Sequence, residues 1–173
     1  MTALTNQPEN TNFLSPLGYK LVIKKLPHLN FFIQSVTVPS VSLGTADVDT
    51  PFTKIPFPGT KLTFQNLEVT FKIDEDMQNY IEIFDWMNQL GFPDNFAQYQ
   101  TIAAKPLYSG DGIFSDMTLT VLTSAMNPNI TIDFIDCFPV DLSSIIFDST
   151  SADVEYLTAT ITFANRRFNI RRL

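Results

Sequence analysis

One cysteine and one histidine in 173 residues exclude several common chemistries. Cys137 cannot build a disulfide framework within the chain. Together Cys137 and His28 fall short of the ligand set of a His/Cys metal site. Ser-His-Asp catalysis would have to run through His28, which follows Pro27 in a turn with no nucleophile elbow nearby, so it reads as a loop residue. Cys137 lies in an apolar run with Asp133 and Asp136, which discourage a thiolate, and it reads as a small buried residue. No stretch approaches the roughly 20 apolar residues of a membrane span. Residues 1–12 are polar and lack the basic-then-apolar order of a signal peptide, so synthesis and folding in a cytoplasm are expected. No cofactor, metal or catalytic residue is expected.

What the chain does have is hydrophobic content, at 45%, enough for a real core despite a formal charge of -7. Its length suits a single domain over residues 1–173, with a flexible arm at 1–12 and a basic tail at 166–173. Four of the 11 basic residues, Arg166, Arg167, Arg171 and Arg172, fall in that tail, which leaves seven against 18 acidic groups in the remainder. An acidic body argues against wrapping DNA through phosphate neutralisation. The arginines fit either a solvated strand end or a docking surface.

Periodicity outlines the elements. Residues 19–26 alternate as a strand, Pro27 to Asn30 turn, and residues 31–38 return, which predicts a hairpin. Residues 39–59 carry Pro39, Pro51, Pro56 and Pro58 with Gly44 and Gly59, and read as an extended loop or an edge hairpin leaving the body. Alternation resumes over 62–73, where Leu67, Val69, Phe71 and Ile73 oppose Glu68, Thr70 and Lys72. Asp74 caps a helix over about 75–90, with Glu75 and Asp76 in its first turn. Met77, Tyr80, Ile81, Phe84 and Met87 form its stripe, and Ile83, Trp86 and Leu90 widen it, so more than one side should be covered. It is expected to be the only substantial helix, with 92–113 irregular and closed by Ser109-Gly110-Asp111-Gly112. Strands follow at 114–123, at 130–134 and across Leu157 to Phe163. The fold class expected is mainly β: a two-layer antiparallel β-sandwich or flattened barrel, one packed helix and an extended hairpin or loop.

Three stretches in order resemble the tail tube protein family of contractile-tailed phages. The first is Val36-Thr37-Val38-Pro39-Ser40-Val41-Ser42-Leu43-Gly44. The second runs from Ile55-Pro56-Phe57-Pro58-Gly59 through Leu67-Glu68-Val69-Thr70-Phe71 to the helix step Phe84-Asp85-Trp86. The third is Cys137-Phe138-Pro139-Val140-Asp141, then a short apolar segment ending at Asp148 and a polar loop at 149–153. Two departures stand out: the basic tail extends beyond the usual end of such a subunit, and 92–113 has no family pattern.

The resemblance implies a structural virion protein, not an enzyme: a hexameric ring subunit stacking into the inner tail tube through which phage DNA is ejected. Its alternative is a tube initiator at the baseplate or a terminator at the neck; a ligand-binding β-sandwich is a more distant one. Implied partners are the chain itself, the tail sheath and baseplate or neck proteins, with DNA passing unbound; the place is the virion tail, assembled in the host cytoplasm. Candidate inter-subunit contacts are Asp47, Asp49, Phe52, Lys54, Asp74, Glu75, Asp76, Arg166, Arg167, Arg171 and Arg172. Candidate lumen-facing residues are Glu68, Thr70, Thr131, Asp133, Thr158, Thr160 and Thr162.

Overall fold

Strands with a strict period of two build the body of the computed structural model, which describes residues 11–91, 93, 95–106, 112–150 and 156–173. In β5 (Leu67–Lys72), Leu67, Val69 and Phe71 are fully buried while Glu68 faces out. Its antiparallel neighbour β8 (Thr158–Ala164) sets Ile161 against Val69 and Ala159 against Phe71. On its other side lies β2 (Ile33–Thr37). A second layer holds β1 (Tyr19–Ile23), β6 (Ser115–Leu122) and β9 (Arg167–Arg172), with Leu21, Ile23, Met117 and Leu119 turned inward.

The long strand β7 (Pro128–Leu142) joins the layers, pairing first with β6 and β9 and then with β8. The change comes at Asp136, whose φ of 56° is a left-handed backbone that interrupts the ladder and bends the strand. The strand order is therefore β1-β6-β7-β8-β5-β2, with β9 branching from β7. The sheet does not close into a barrel; the two layers make a sandwich around one core.

Helix α1 (Gln78–Gly91) covers one end of that core. Trp86 is 1% exposed, with its ring 6.2 Å from that of Phe163, and Asn79 Nδ2 donates to the Lys72 carbonyl at 2.8 Å. The helix starts later than its acidic turn suggests, because Met77 is left-handed at φ 54° and cannot continue a right-handed helix backwards. Asp74 still acts near its start: Oδ1 accepts from the Asn79 N–H at 3.4 Å. The buried side is Asn79, Ile83 and Trp86; Ile81 and Phe84, assigned to the stripe by spacing, are about half exposed.

Three other expectations are corrected. Residues 19–26 and 31–38 do not pair in a ladder: β6 takes β1, β5 takes β2, and the two strands stand at opposite ends of the sheet order. Single side-chain hydrogen bonds link the two stretches instead: the Ile23 N–H donates to Asn30 Oδ1 in the turn at 2.8 Å, and the Tyr19 hydroxyl donates to the Gln34 carbonyl. A second helix, α2 (Ala97–Ala103), occupies part of 92–113; it packs on α1 and buries only Ile102, too little to give a periodic signal. The basic tail is a strand, β9, paired with β7. The arm at 1–10 and the Ser109-Gly110-Asp111 part of the predicted turn lie outside the described residues.

Candidate assembly surface

The Pro- and Gly-rich stretch folds into a hairpin apart from the seven-stranded sheet. Among the described residues β3 (Val41–Asp49) pairs only with β4 (Lys54–Phe64), and every residue of β3 is exposed. Two isolated strands are marginally stable in water, so this arm gains from a partner. Its tip is closed by the Thr50 N–H donating to the Thr53 carbonyl at 3.0 Å, and Phe52 beside it is 98% exposed.

The register shifts between Leu43 and Thr45, where Gly44 and Gly59 meet. A Cβ on Gly59 would lie 2.8 Å from the Gly44 carbonyl carbon, so only glycine fits there. Toward the body, Val41 opposes Phe64 and Leu43 opposes Leu62, an apolar face. Toward the tip, Ala46 opposes Phe57 and Val48 opposes Ile55 on the other face, while Asp47, Asp49 and Lys54 continue the first. The apolar side thus changes across the glycines. In the inner half Phe64 has a partner within the chain, meeting the Phe168 ring edge-on at 5.3 Å, while Val41, Leu43 and Leu62 stay about half exposed. In the outer half, Val48, Ile55 and Phe57 are likewise 44–53% exposed. In the sequence Pro56 and Pro58 mask the alternation of Ile55 and Phe57 as a strand face.

The other candidate contacts divide. Asp49 and Lys54 pair across the hairpin at 3.8 Å, both well exposed. Asp74 is engaged at the helix start, whereas Glu75 and Asp76 are exposed. Behind Asp74 and Glu75 opens a groove lined by Phe32, Ile73, Met77, Phe147 and Leu157. Of the arginines, Arg166 pairs with Asp136 at 3.3 Å and Arg171 with Asp133, so both have acidic partners within the chain. Arg167 and Arg172 have no acidic partner among the described residues.

The candidate lumen residues separate onto the two layers. Glu68 opposes Thr162, Thr70 opposes Thr160 with their hydroxyls 3.2 Å apart, and Thr158 opposes Lys72, so five of the seven share the outer face of β5 and β8. Thr131 and Asp133 lie on the outer face of the other layer, opposite Thr120 and Thr118. The outer faces of a sandwich look away from each other, so at most one set can line a single channel.

Three ionisable groups among the described residues depart from their ordinary behaviour; one is Tyr19, whose phenol is pushed up by burial. Burial, followed by the nearby charges of Asp116 and Asp136, pushes the Cys137 thiol up to about 12. The Asp148 carboxyl is held low by the Thr150 hydroxyl and N–H, at 2.6 and 2.8 Å.

Comparison with known proteins bears on the whole chain. The family model for the phage tail tube protein matches residues 6–171, a range that takes in most of β9, so the basic segment is no addition beyond the family's end. The tail tube terminator protein of Enterobacteria phage T4 is 26% identical over 96% of this chain and 90% of its own. Among solved structures, the sheath/tube terminator of an extracellular contractile injection system, PVC, has a TM-score of 0.63 at 19% identity, covering 94% of this chain and 99% of that one. The tube-terminating cap of the anti-feeding prophage has a TM-score of 0.61 at 16% identity, with both chains fully covered. The chain belongs to the phage tail tube protein family, whose members are structural proteins and not enzymes.

Proposed function

We propose that this protein is the terminator of a contractile tail tube: a ring of six copies that ends the tube at the neck. The observation that carries the reading is the match to the phage T4 tail tube terminator along nearly the whole of both chains. Two terminating proteins of injection systems share the fold, which is consistent with it. The repeating tube subunit, the first expectation from sequence, becomes the second reading.

The geometry supplies a means of assembly. The hairpin projects an apolar outer half that a neighbouring copy or the last tube ring would bury. Covering Val48, Ile55 and Phe57 contributes about 25 cal/mol per Å² of apolar surface removed from water. The outer face of β5, β8 and β2 is the one that suits a DNA channel. It is made of hydroxyls around Glu68 and Lys72, a hydrated surface to which a polyanion has little reason to adhere. The opposite outer face carries Lys20, Arg167 and Arg171 and would face outward, toward sheath or neck proteins.

Negative-stain microscopy of the purified protein over a range of concentrations tests this reading. Single six-fold rings that do not elongate are expected. Unlimited self-stacking into tubes would return the protein to the repeating-subunit role, and a monomer at every concentration would remove both.

A further inference from the structure

We propose that the groove behind Asp74 and Glu75 receives the edge of strand β9 from a second copy of this chain, with Ile170 entering the groove and Arg172 meeting the acidic rim. This rests on the reading of the protein as a self-assembling ring. The groove has a volume of about 680 Å³; Ile73, Met77, Phe147 and Leu157 are among its apolar lining, and its charged lining is Asp74 and Glu75 against Lys72, whose ammonium lies over the Tyr156 ring at 5.0 Å.

The matching surface is on β9. There, Ile170 and Arg172 register against Ile132 and Ile130 and so project from the same face, two residues apart. Ile170 is 63% exposed, and Arg172 has no acidic partner among the described residues, unlike Arg171. An apolar side chain followed by a cation, about 7 Å along a strand, complements an apolar groove whose two carboxylates, Asp74 and Glu75, outnumber the one ammonium of Lys72.

The edge itself is open. The Leu173 N–H donates inward to the Asn129 carbonyl at 2.9 Å. Alternation then turns the N–H and C=O groups of Arg172, Ile170 and Phe168 away from β7, where no strand of the described residues pairs with them. Because β9 is fixed in its ladder with β7, its own groove at the end of β5 is filled by another copy. A ring then forms when each subunit presents its edge to the next.

Two variants of the full chain test this: Met77→Cys and Ile170→Cys, mixed and treated with a short bismaleimide. Cys137 is fully buried and does not compete. The mixture is expected to give a dimer-sized covalent product that neither variant gives alone. In parallel, Glu75→Arg and Arg172→Glu should each weaken self-association, by about fivefold for an exposed pair (about 1 kcal/mol), and their combination should restore it. Rings that form without the cross-link, and that ignore both charge reversals, would overturn this contact while leaving the ring intact. A chain monomeric at every concentration would overturn the ring as well.

Discussion

A Cβ atom on Gly59 would overlap the carbonyl group of Gly44, lying 2.8 Å from its carbon, while a Cβ on Gly44 would meet nothing nearer than the Lys61 carbonyl oxygen at 3.9 Å. The crossing point of the arm is therefore asymmetric. Gly59→Ala should force the strands apart, disturb the outer half of the hairpin and abolish ring formation, whereas Gly44→Ala should assemble normally. Neither should move the melting temperature by more than about 3 °C, equivalent to about 1 kcal/mol for a chain of this size, because the arm stands off the core. Sedimentation and thermal melts of the two variants check this; equal assembly of both would contradict it.

Trp86 and Phe84 lie two residues apart on α1 and should behave oppositely. Trp86 is 1% exposed against Phe163, so Trp86→Ala should cost about 3–5 kcal/mol in urea unfolding. Phe84 is 52% exposed, and Phe84→Ala should stay within about 0.5 kcal/mol in the isolated chain.

The helix shows what was legible in the sequence. Its existence and the burial of Trp86 followed from apolar spacing, but the choice of face did not. Tyr80 and Met87 of the expected stripe do pack against the core, but Ile81 and Phe84 fit the apolar spacing as well as Ile83 and Trp86, and only the sheet decides which pair is buried. The same limit applies to strand pairing: alternation identified β1 and β2, and their closeness in sequence suggested a hairpin. Strand partners are long-range choices that local pattern does not encode, and Asn30 and Tyr19 bridge where a ladder was expected. Strand β9 was hidden because its arginines looked like a solvated tail. Arg171 and Arg166 have partners only because β9 pairs with β7 and brings them to Asp133 and Asp136.

Those ion pairs limit what the basic segment can do for assembly. Arg166 and Arg171 are exposed partners of Asp136 and Asp133, so Gln at either should lower monomer stability by no more than about 1 kcal/mol and leave ring formation unchanged. Gln at Arg167 and Arg172 should leave the melt unchanged and weaken rings, more so at low salt. Light scattering across a salt series on the two double variants separates these roles.

Cys137 gives a pH prediction with a definite sign. Its thiol is held up to about 12 in the fold, above its ordinary value of 9.0. Below pH 9 both folded and unfolded chains keep the proton, and the group has no effect. Between about 9 and 12 the unfolded chain releases it first, so stability falls as pH rises, by at most about 1.4 kcal/mol per pH unit. Cys137→Ala should lack this part of the slope in denaturant titrations. The native thiol should also resist Ellman's reagent at pH 8 and react once the chain is unfolded.

The position of the protein in the tail is the most direct test of its role. Antibody-gold labelling of intact tails, imaged by electron microscopy, reads it in one experiment. A terminator places label at a single site at the neck end of each tube, in an amount equal to one ring. Label distributed along the whole tube would show a repeating subunit and contradict the account.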